Sequence, residues 1–218
     1  MTTREARVAR GVRLEYLTVA WNLLEAFIAI LSGVIAGSIA LVGFGLDSMI
    51  EVFSGGVLLW RLRSDLHPES RERTERMALR LVGLSFLSLG AYVTFEAMEA
   101  LVRHEAPAKS IPGVALAIAS VIVMPLLARA KRKVARDIES RALQADSRQT
   151  DFCAYLSAIL LIGLTLNGVV GWWWADPFAA LIMVPFIVRE GIKAIQGVAC
   201  CDDALCGTVA HTEQRSKG

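Results

Sequence analysis

The sequence predicts an all-α integral membrane protein with six transmembrane helices. Three observations predict it: an apolar composition, six long apolar runs, and positive charge that alternates between the connections. The chain has 218 residues, of which 55% are hydrophobic, and its mean hydropathy is +0.50. Soluble domains of this size are usually less apolar. Because the apolar runs are continuous rather than alternating, we expect helices and not β-strands to cross the membrane.

Each run is long enough for a hydrocarbon core about 30 Å thick, which requires roughly 20 helical residues. The predicted spans are 14–36, 38–62, 77–102, 111–130, 145–172 and 176–197. We expect a basic N-terminal tail over 1–13 and a short cysteine-containing tail over 198–218. No short apolar segment with a small-residue cleavage site precedes the first span, so a cleavable signal peptide is not expected.

Positive charge predicts the orientation. Basic residues are concentrated before the first span, between the second and third spans, and between the fourth and fifth spans. The positive-inside rule therefore places both termini in the cytoplasm, and the expected location is the inner (plasma) membrane. The net charge of +2 mostly reflects this bias, so no nucleic-acid partner is expected. Three consecutive tryptophans are typical of an aromatic belt at the outer interface: Trp172, Trp173 and Trp174.

Two carboxylates lie inside the second span. Asp47 and Glu51 are four residues apart, so they share one helix face. An ionised carboxylate at bilayer depth costs at least ~2.5 kcal/mol, and two like charges on one face also repel each other. The pair therefore predicts a bound cation, a proton or both. The alternative is a structural role, in which the acids are protonated or paired with an arginine.

The start of the fifth span contributes further polar side chains. Gln149 and Cys153 share a face, and Asp146, a candidate residue for guiding metal entry, lies one turn earlier. Asp151 points to roughly the opposite side. Asp151 would face a cytoplasmic vestibule or another helix. Facing pairs on two helices could supply one ion with two carboxylate oxygens, an amide oxygen and a sulfur. Taken alone, Gln149 and Cys153 are more often structural, since cysteine is a common buried residue.

Two other polar groups have open roles. Asn22 and Glu25 share a face of the first span, where they either line the same cavity or bond to a neighbouring helix.

The C-terminal tail is either a small metal-binding segment or a disordered end, because the spacing of its cysteines and histidine matches no standard zinc module. Its candidate ligands are Cys200, Cys201, Cys206 and His211.

The second span, "GSIALVGFGLDSMIEVFSG", resembles the Ser-x-Ala-Leu…(His/Asp)-Ser-x-x-Asp stretch of the cation diffusion facilitator family of metal/proton antiporters. The resemblance places Asp47 and Glu51 at that family's ligand positions. The fifth span resembles its Ala-Asp-x-x-His-x-x-x-Asp-x-x-x-Ser stretch, with Gln149 and Cys153 at the usual His and Asp positions. The segment "WWWADPFAALIMVPFIVREGIKAI" resembles the family's Trp-x-Asp-Pro-x-Ala passage into helix six.

The resemblance implies a secondary transporter and not an enzyme. It would export a divalent cation in exchange for protons, binding the ion between helices two and five, with no further cofactor. We expect Zn²⁺, with Cd²⁺ tolerated, because a thiolate suits these ions. Mn²⁺ or Fe²⁺ is the alternative, since carboxylate and amide oxygens suit harder ions. A membrane metal-binding or regulatory protein that does not transport is the competing hypothesis.

The resemblance also implies a homodimer formed through transmembrane helices. Small residues in the third span would allow close helix packing: Gly83, Ser85, Ser88 and Gly90. The chain would be a short form without the family's usual cytoplasmic C-terminal domain.

Overall fold

The computed structural model describes residues 3–63, 68–104, 107–137 and 141–196. Within these ranges the chain forms six α-helices and no strand, so the all-α prediction is confirmed. The helices are α1 Thr3–Ala36, α2 Ile39–Arg63, α3 Pro68–Arg103, α4 Ile111–Asp137, α5 Arg141–Thr165 and α6 Ala175–Ile195. A π-helical turn, Leu166–Val170, continues α5.

Five helical stretches are long and apolar enough to cross a membrane: Ala9–Ala36, Ile39–Gly56, Arg80–Arg103, Ile111–Asp137 and Asp146–Val170. The 21-residue α6 is also apolar along most of its length, but it carries four charged residues near its ends: Asp176, Arg189, Glu190 and Lys193. Large apolar side chains such as Phe27 and Ile35 are exposed, whereas many polar side chains are buried. This arrangement suits a lipid surrounding, and the chain is a multi-pass membrane protein. The orientation of its termini stays a prediction.

Several helices are longer than the predicted spans. α1 begins at Thr3 rather than after a 13-residue tail, and α4 continues to Asp137 rather than ending at residue 130. Hydropathy marks only the part of a helix that matches the hydrocarbon core, whereas helical hydrogen bonding continues beyond it. The extensions are held by a small apolar cluster of Leu14, Val134, Ala135 and Leu143. The basic segment beginning at Lys131 is therefore helical and not a loop.

The connection between α1 and α2 is very short. Gly37 has φ 66°, the left-handed conformation that glycine adopts without a Cβ penalty. The Ser38 N–H donates to the Gly33 carbonyl at 2.9 Å, which closes the end of α1. The two helices therefore form an antiparallel hairpin. Polar side chains of α1 consequently face the segment of α2 that carries Asp47 and Glu51.

α3 and α6 pack closely against each other at positions occupied by glycine. A Cβ on Gly83 would lie 2.6 Å from the carbonyl oxygen of Gly191, and a Cβ on Gly90 would lie 2.9 Å from a side chain of α6. Two of the small residues predicted to support a dimer contact are thus used within the chain. Ser85 and Ser88 are exposed. The homodimer stays a prediction.

Candidate metal centre

Asp47, Glu51 and Cys153 form a buried cluster between α2 and α5. One donor atom from each side chain lies within 4.8 Å of the other two. The Sγ atom of Cys153 is 4.0 Å from Oδ2 of Asp47. The residues are 3%, 7% and 0% exposed, respectively. The structure thus brings together three of the four donors predicted from the sequence.

The donor set suits a divalent cation. Tetrahedral zinc with bonds of about 2.0–2.3 Å requires donor atoms about 3.3–3.8 Å apart. Donors within 4.8 Å of one another meet that requirement after a contraction of about 1.5 Å or less. The cluster combines two hard carboxylates with one soft sulfur, and binding requires the deprotonated forms of these groups. The arrangement can therefore exchange a metal ion for protons.

Gln149 lies at the same helix interface but is held differently. Its Oε1 accepts a 3.4 Å hydrogen bond from the hydroxyl of Ser54, three residues after Glu51 on α2. Its Nε2 is buried and has no hydrogen-bond partner among the described residues. Rotating the amide would give Ser54 an N–H donor and direct Oε1 to the buried position. The structure thus leaves Gln149 beside the cluster, and its role as a fourth ligand stays a prediction.

Asn22 joins α1 to the cluster. Its Nδ2 donates a 2.7 Å hydrogen bond to Oε2 of Glu51. Its Oδ1 is buried without a hydrogen-bond partner among the described residues. Of the two roles open for Asn22, the structure thus shows a bond to a neighbouring helix. The bond orients the Glu51 carboxylate, as groups behind a metal ligand commonly do.

Glu25 also bonds to neighbouring helices but is not one of the clustered donors. Its Oε1 accepts a 2.6 Å hydrogen bond from the Trp21 indole and a further one from the hydroxyl of Ser120 on α4. Its Oε2 accepts a hydrogen bond from the hydroxyl of Ser48 on α2, at 3.3 Å. The carboxylate is 0% exposed. Sequence reasoning did not find the two serine donors, which come from different helices.

A buried ion-pair triad lies at the end of the bundle where α4 and α5 join. Lys131 is 0% exposed and contacts Glu15 of α1 at 2.9 Å and Asp146 of α5. The Asp146 carboxylate, predicted to guide metal access, is thus bonded to an ammonium group. Its access role stays a prediction. Sequence reasoning missed Lys131 and Glu15 because it placed Lys131 in a loop.

Asp151 forms a second link between α4 and α5. Its Oδ1 accepts a 2.9 Å hydrogen bond from Arg132, and both side chains are partly exposed. Of the two orientations open from the sequence, the structure thus shows contact with another helix. The remaining candidates lie outside the described residues: Cys200, Cys201, Cys206 and His211.

The sequence matches the family model described as the cation efflux transmembrane domain, over residues 16–196. The chain belongs to the cation efflux family. This match confirms the family resemblance found in the second and fifth spans. Membership of this family agrees with the expected transporter class, and the secondary-transport mechanism stays a prediction.

Curated relatives of this cation efflux protein include uncharacterized transporters. One, from Synechocystis, is 27% identical over 153 residues, 67% of this chain and 49% of the relative. Another, from Methanocaldococcus jannaschii, is 26% identical over 179 residues, 79% of this chain and 63% of the relative. Metal tolerance protein 4 of Oryza sativa is 22% identical over 177 residues, 78% of this chain and 44% of that protein. The chain thus spans 44–63% of the length of these relatives.

Proposed function

We propose that the protein exports a divalent metal cation, with Zn²⁺ as its preferred substrate and Cd²⁺ tolerated, in exchange for protons. The observation that carries the proposal is the buried cluster of Asp47, Glu51 and Cys153 between two membrane helices. Membership of the cation efflux family and similarity to a metal tolerance protein support a metal as the transported ion.

The choice of metal rests on the donor atoms. Mg²⁺ and Mn²⁺ favour all-oxygen sites, whereas Zn²⁺ and Cd²⁺ accept thiolate together with carboxylate. Cys153 is fully buried at the cluster, where its sulfur contacts Asp47. Gln149 is the proposed fourth ligand, since its amide lies at the same interface and its Nε2 is buried with no hydrogen-bond partner in the part of the chain that the structure describes.

The transport cycle follows from the requirement that the ligands be deprotonated. Metal enters from the cytoplasmic side and displaces protons from the cluster. The helices then rock so that the site opens to the other side, as in alternating access. Protons compete there for Asp47 and Glu51, and the metal leaves. The proposal includes cytoplasmic termini, an inner (plasma) membrane location and a homodimer.

Transport is tested with the purified protein in vesicles loaded with a zinc-sensitive dye. A pH gradient should drive Zn²⁺ flux, and Asp47→Ala or Glu51→Ala should abolish it. The matched control is Glu99→Gln, which removes an acid that pairs with Arg103 on α3, away from the cluster. A folded protein that binds Zn²⁺ but gives no flux under the gradient would instead be a metal-binding or regulatory protein.

A further inference from the structure

Glu25 is a fully buried carboxylate that the proposed transport cycle does not use. Its described hydrogen-bond partners are an indole and two hydroxyl groups, namely Trp21, Ser48 and Ser120. The ion pairs found among the described residues do not include Glu25. A permanently ionised carboxylate without a cation partner is costly in a membrane interior. A proton on Glu25 would remove that cost.

The hydrogen bonds of Glu25 accommodate both protonation states. The Ser48 hydroxyl has one hydrogen but two acceptors in reach, Oε2 of Glu25 at 3.3 Å and the Phe44 carbonyl at 3.1 Å. When Glu25 is ionised, Ser48 donates to Oε2. When Oε2 is protonated, it donates to Ser48, whose hydrogen turns to Phe44. Trp21 and Ser120 donate to Oε1 in both states, so a proton can be gained or lost by rotating one hydroxyl.

Glu25 lies beside the metal cluster without touching it. On the antiparallel α1 and α2, Asn22 bonds to Glu51, and Glu25, one turn further, bonds to Ser48. Ser48 directly follows Asp47. Glu25 is thus displaced from Glu51 toward Gly37, where the two helices join. In the predicted orientation this is the outer side of the cluster.

The charged groups around Glu25 include the candidate metal donors. The titratable groups nearest to it on α2 are Asp47, which directly precedes Ser48, and Glu51, which bonds to Asn22 one turn from Glu25. Cys153 of α5 clusters with both acids. On α4, the first charged residue after Ser120 is Arg129, about two and a half turns away. A divalent cation at the cluster would therefore stabilise a negative charge on Glu25.

We propose that Glu25 is a proton-binding site, distinct from the metal donors, whose proton leaves when a divalent cation occupies Asp47, Glu51 and Cys153. The coupling is reciprocal, because any effect of the metal on the proton equals the effect of the proton on the metal. The coupling rests on the proposed function, whereas the proton site itself does not. Glu25 would thus contribute a proton to the exchange without ever being a ligand.

The proton on Glu25 is tested first without metal. Infrared spectra of the purified protein are recorded across a pH series for the wild type, Glu25→Gln and the control Glu99→Gln. A carbonyl band of a protonated carboxyl should appear as pH falls, be absent in Glu25→Gln and be retained in the control. Ser48→Ala keeps the carboxyl but removes its acceptor, so the band should persist at a shifted frequency. If no band titrates, or if neither substitution alters it, the proton site is wrong.

Coupling is tested by counting the protons released when ZnCl₂ is added, using a pH-indicator dye. Glu25→Gln should still bind Zn²⁺ but release about one proton fewer than the wild type and Glu99→Gln. Equal release by Glu25→Gln and the wild type would overturn the coupling. A wild type that shows the titrating band but binds no Zn²⁺ would support the proton site, overturn the coupling and contradict the proposed function.

Discussion

The hydroxyl of Ser38 donates a 2.5 Å hydrogen bond to Oδ1 of Asp176, which joins the start of α2 to α6. The other carboxylate oxygen of Asp176 accepts from the backbone N–H groups of Ile39 at 2.9 Å and Ala40 at 3.4 Å. Ser38 in turn accepts from the N–H of Leu41. The unpaired amides in the first turn of α2 are thus satisfied, partly by a residue from another helix.

Asp176→Ala should destabilise the protein by about 2–4 kcal/mol, because two backbone N–H groups and one hydroxyl lose their acceptor. Thermal unfolding in detergent measures the effect. Asp176→Asn keeps one acceptor oxygen and should cost less. Unchanged unfolding temperatures for both variants would show that this cap contributes nothing to stability.

The buried triad gives a second stability prediction. Lys131→Met should cost about 3–5 kcal/mol, because Glu15 and Asp146 would remain buried without their cation. Arg132→Ala removes the neighbouring ion pair, whose arginine side chain is 37% exposed, and should cost about 0–1 kcal/mol. The two variants are compared in the same detergent. A smaller loss for Lys131→Met than for Arg132→Ala would contradict the role assigned to the triad.

Asn22→Ala should weaken Zn²⁺ binding by about 10–100-fold, because Glu51 loses the amide that orients it. Competition with a zinc-sensitive dye measures the affinity. The control is Thr18→Ala, one turn earlier on α1, whose hydroxyl bonds only to the carbonyl of Leu14 in the described hydrogen bonds. Equal affinities for the two variants would rule out an orienting role for Asn22.

Cys153→Ser should change which metal is preferred. Replacing the sulfur by a hydroxyl removes the soft donor, so affinity for Cd²⁺ should fall by at least about tenfold relative to Mn²⁺. Binding of both ions to the same preparation gives the ratio. An unchanged Cd²⁺-to-Mn²⁺ ratio would show that Cys153 is not a ligand.

Metal affinity should depend on pH in one direction. The carboxylates and the thiol must lose their protons before they bind, so apparent Zn²⁺ affinity should fall as pH falls. In the pH range where a ligand is protonated in the metal-free protein, the apparent Zn²⁺ affinity should fall by up to about tenfold per pH unit for each proton that the metal displaces. Titrations at a series of pH values give the slope. A flat profile would show that no proton is exchanged for the metal.

The sequence predicted the parts of the site that depend on local geometry. The spacing of Asp47 and Glu51 determines that they share a face, and no distant residue alters this. Placing Cys153 opposite them required the resemblance to a family, because spacing within α5 says nothing about which helix α5 meets.

What the sequence did not predict are contacts between distant helices. Asp176 resembled a family motif, but nothing local indicated that its carboxylate caps α2. Lys131 was predicted to lie in a loop because hydropathy marks where the apolar part of a helix ends. The helix itself continues beyond that point. A charged residue directly after an apolar run, with acids at the starts of two other spans, is the signal that could have suggested the triad.

The burial of the candidate metal cluster also has a consequence for how an ion reaches it. Asp47, Glu51 and Cys153 are all less than one tenth exposed. A hydrated ion cannot reach donors that are covered in this way from either side. If the protein carries metal as proposed, loading and release both require the helices around the cluster to separate. In a variant with serine at positions 200, 201 and 206, a membrane-permeant thiol reagent should therefore modify Cys153 only while the protein is open, which makes that sulfur a reporter of turnover.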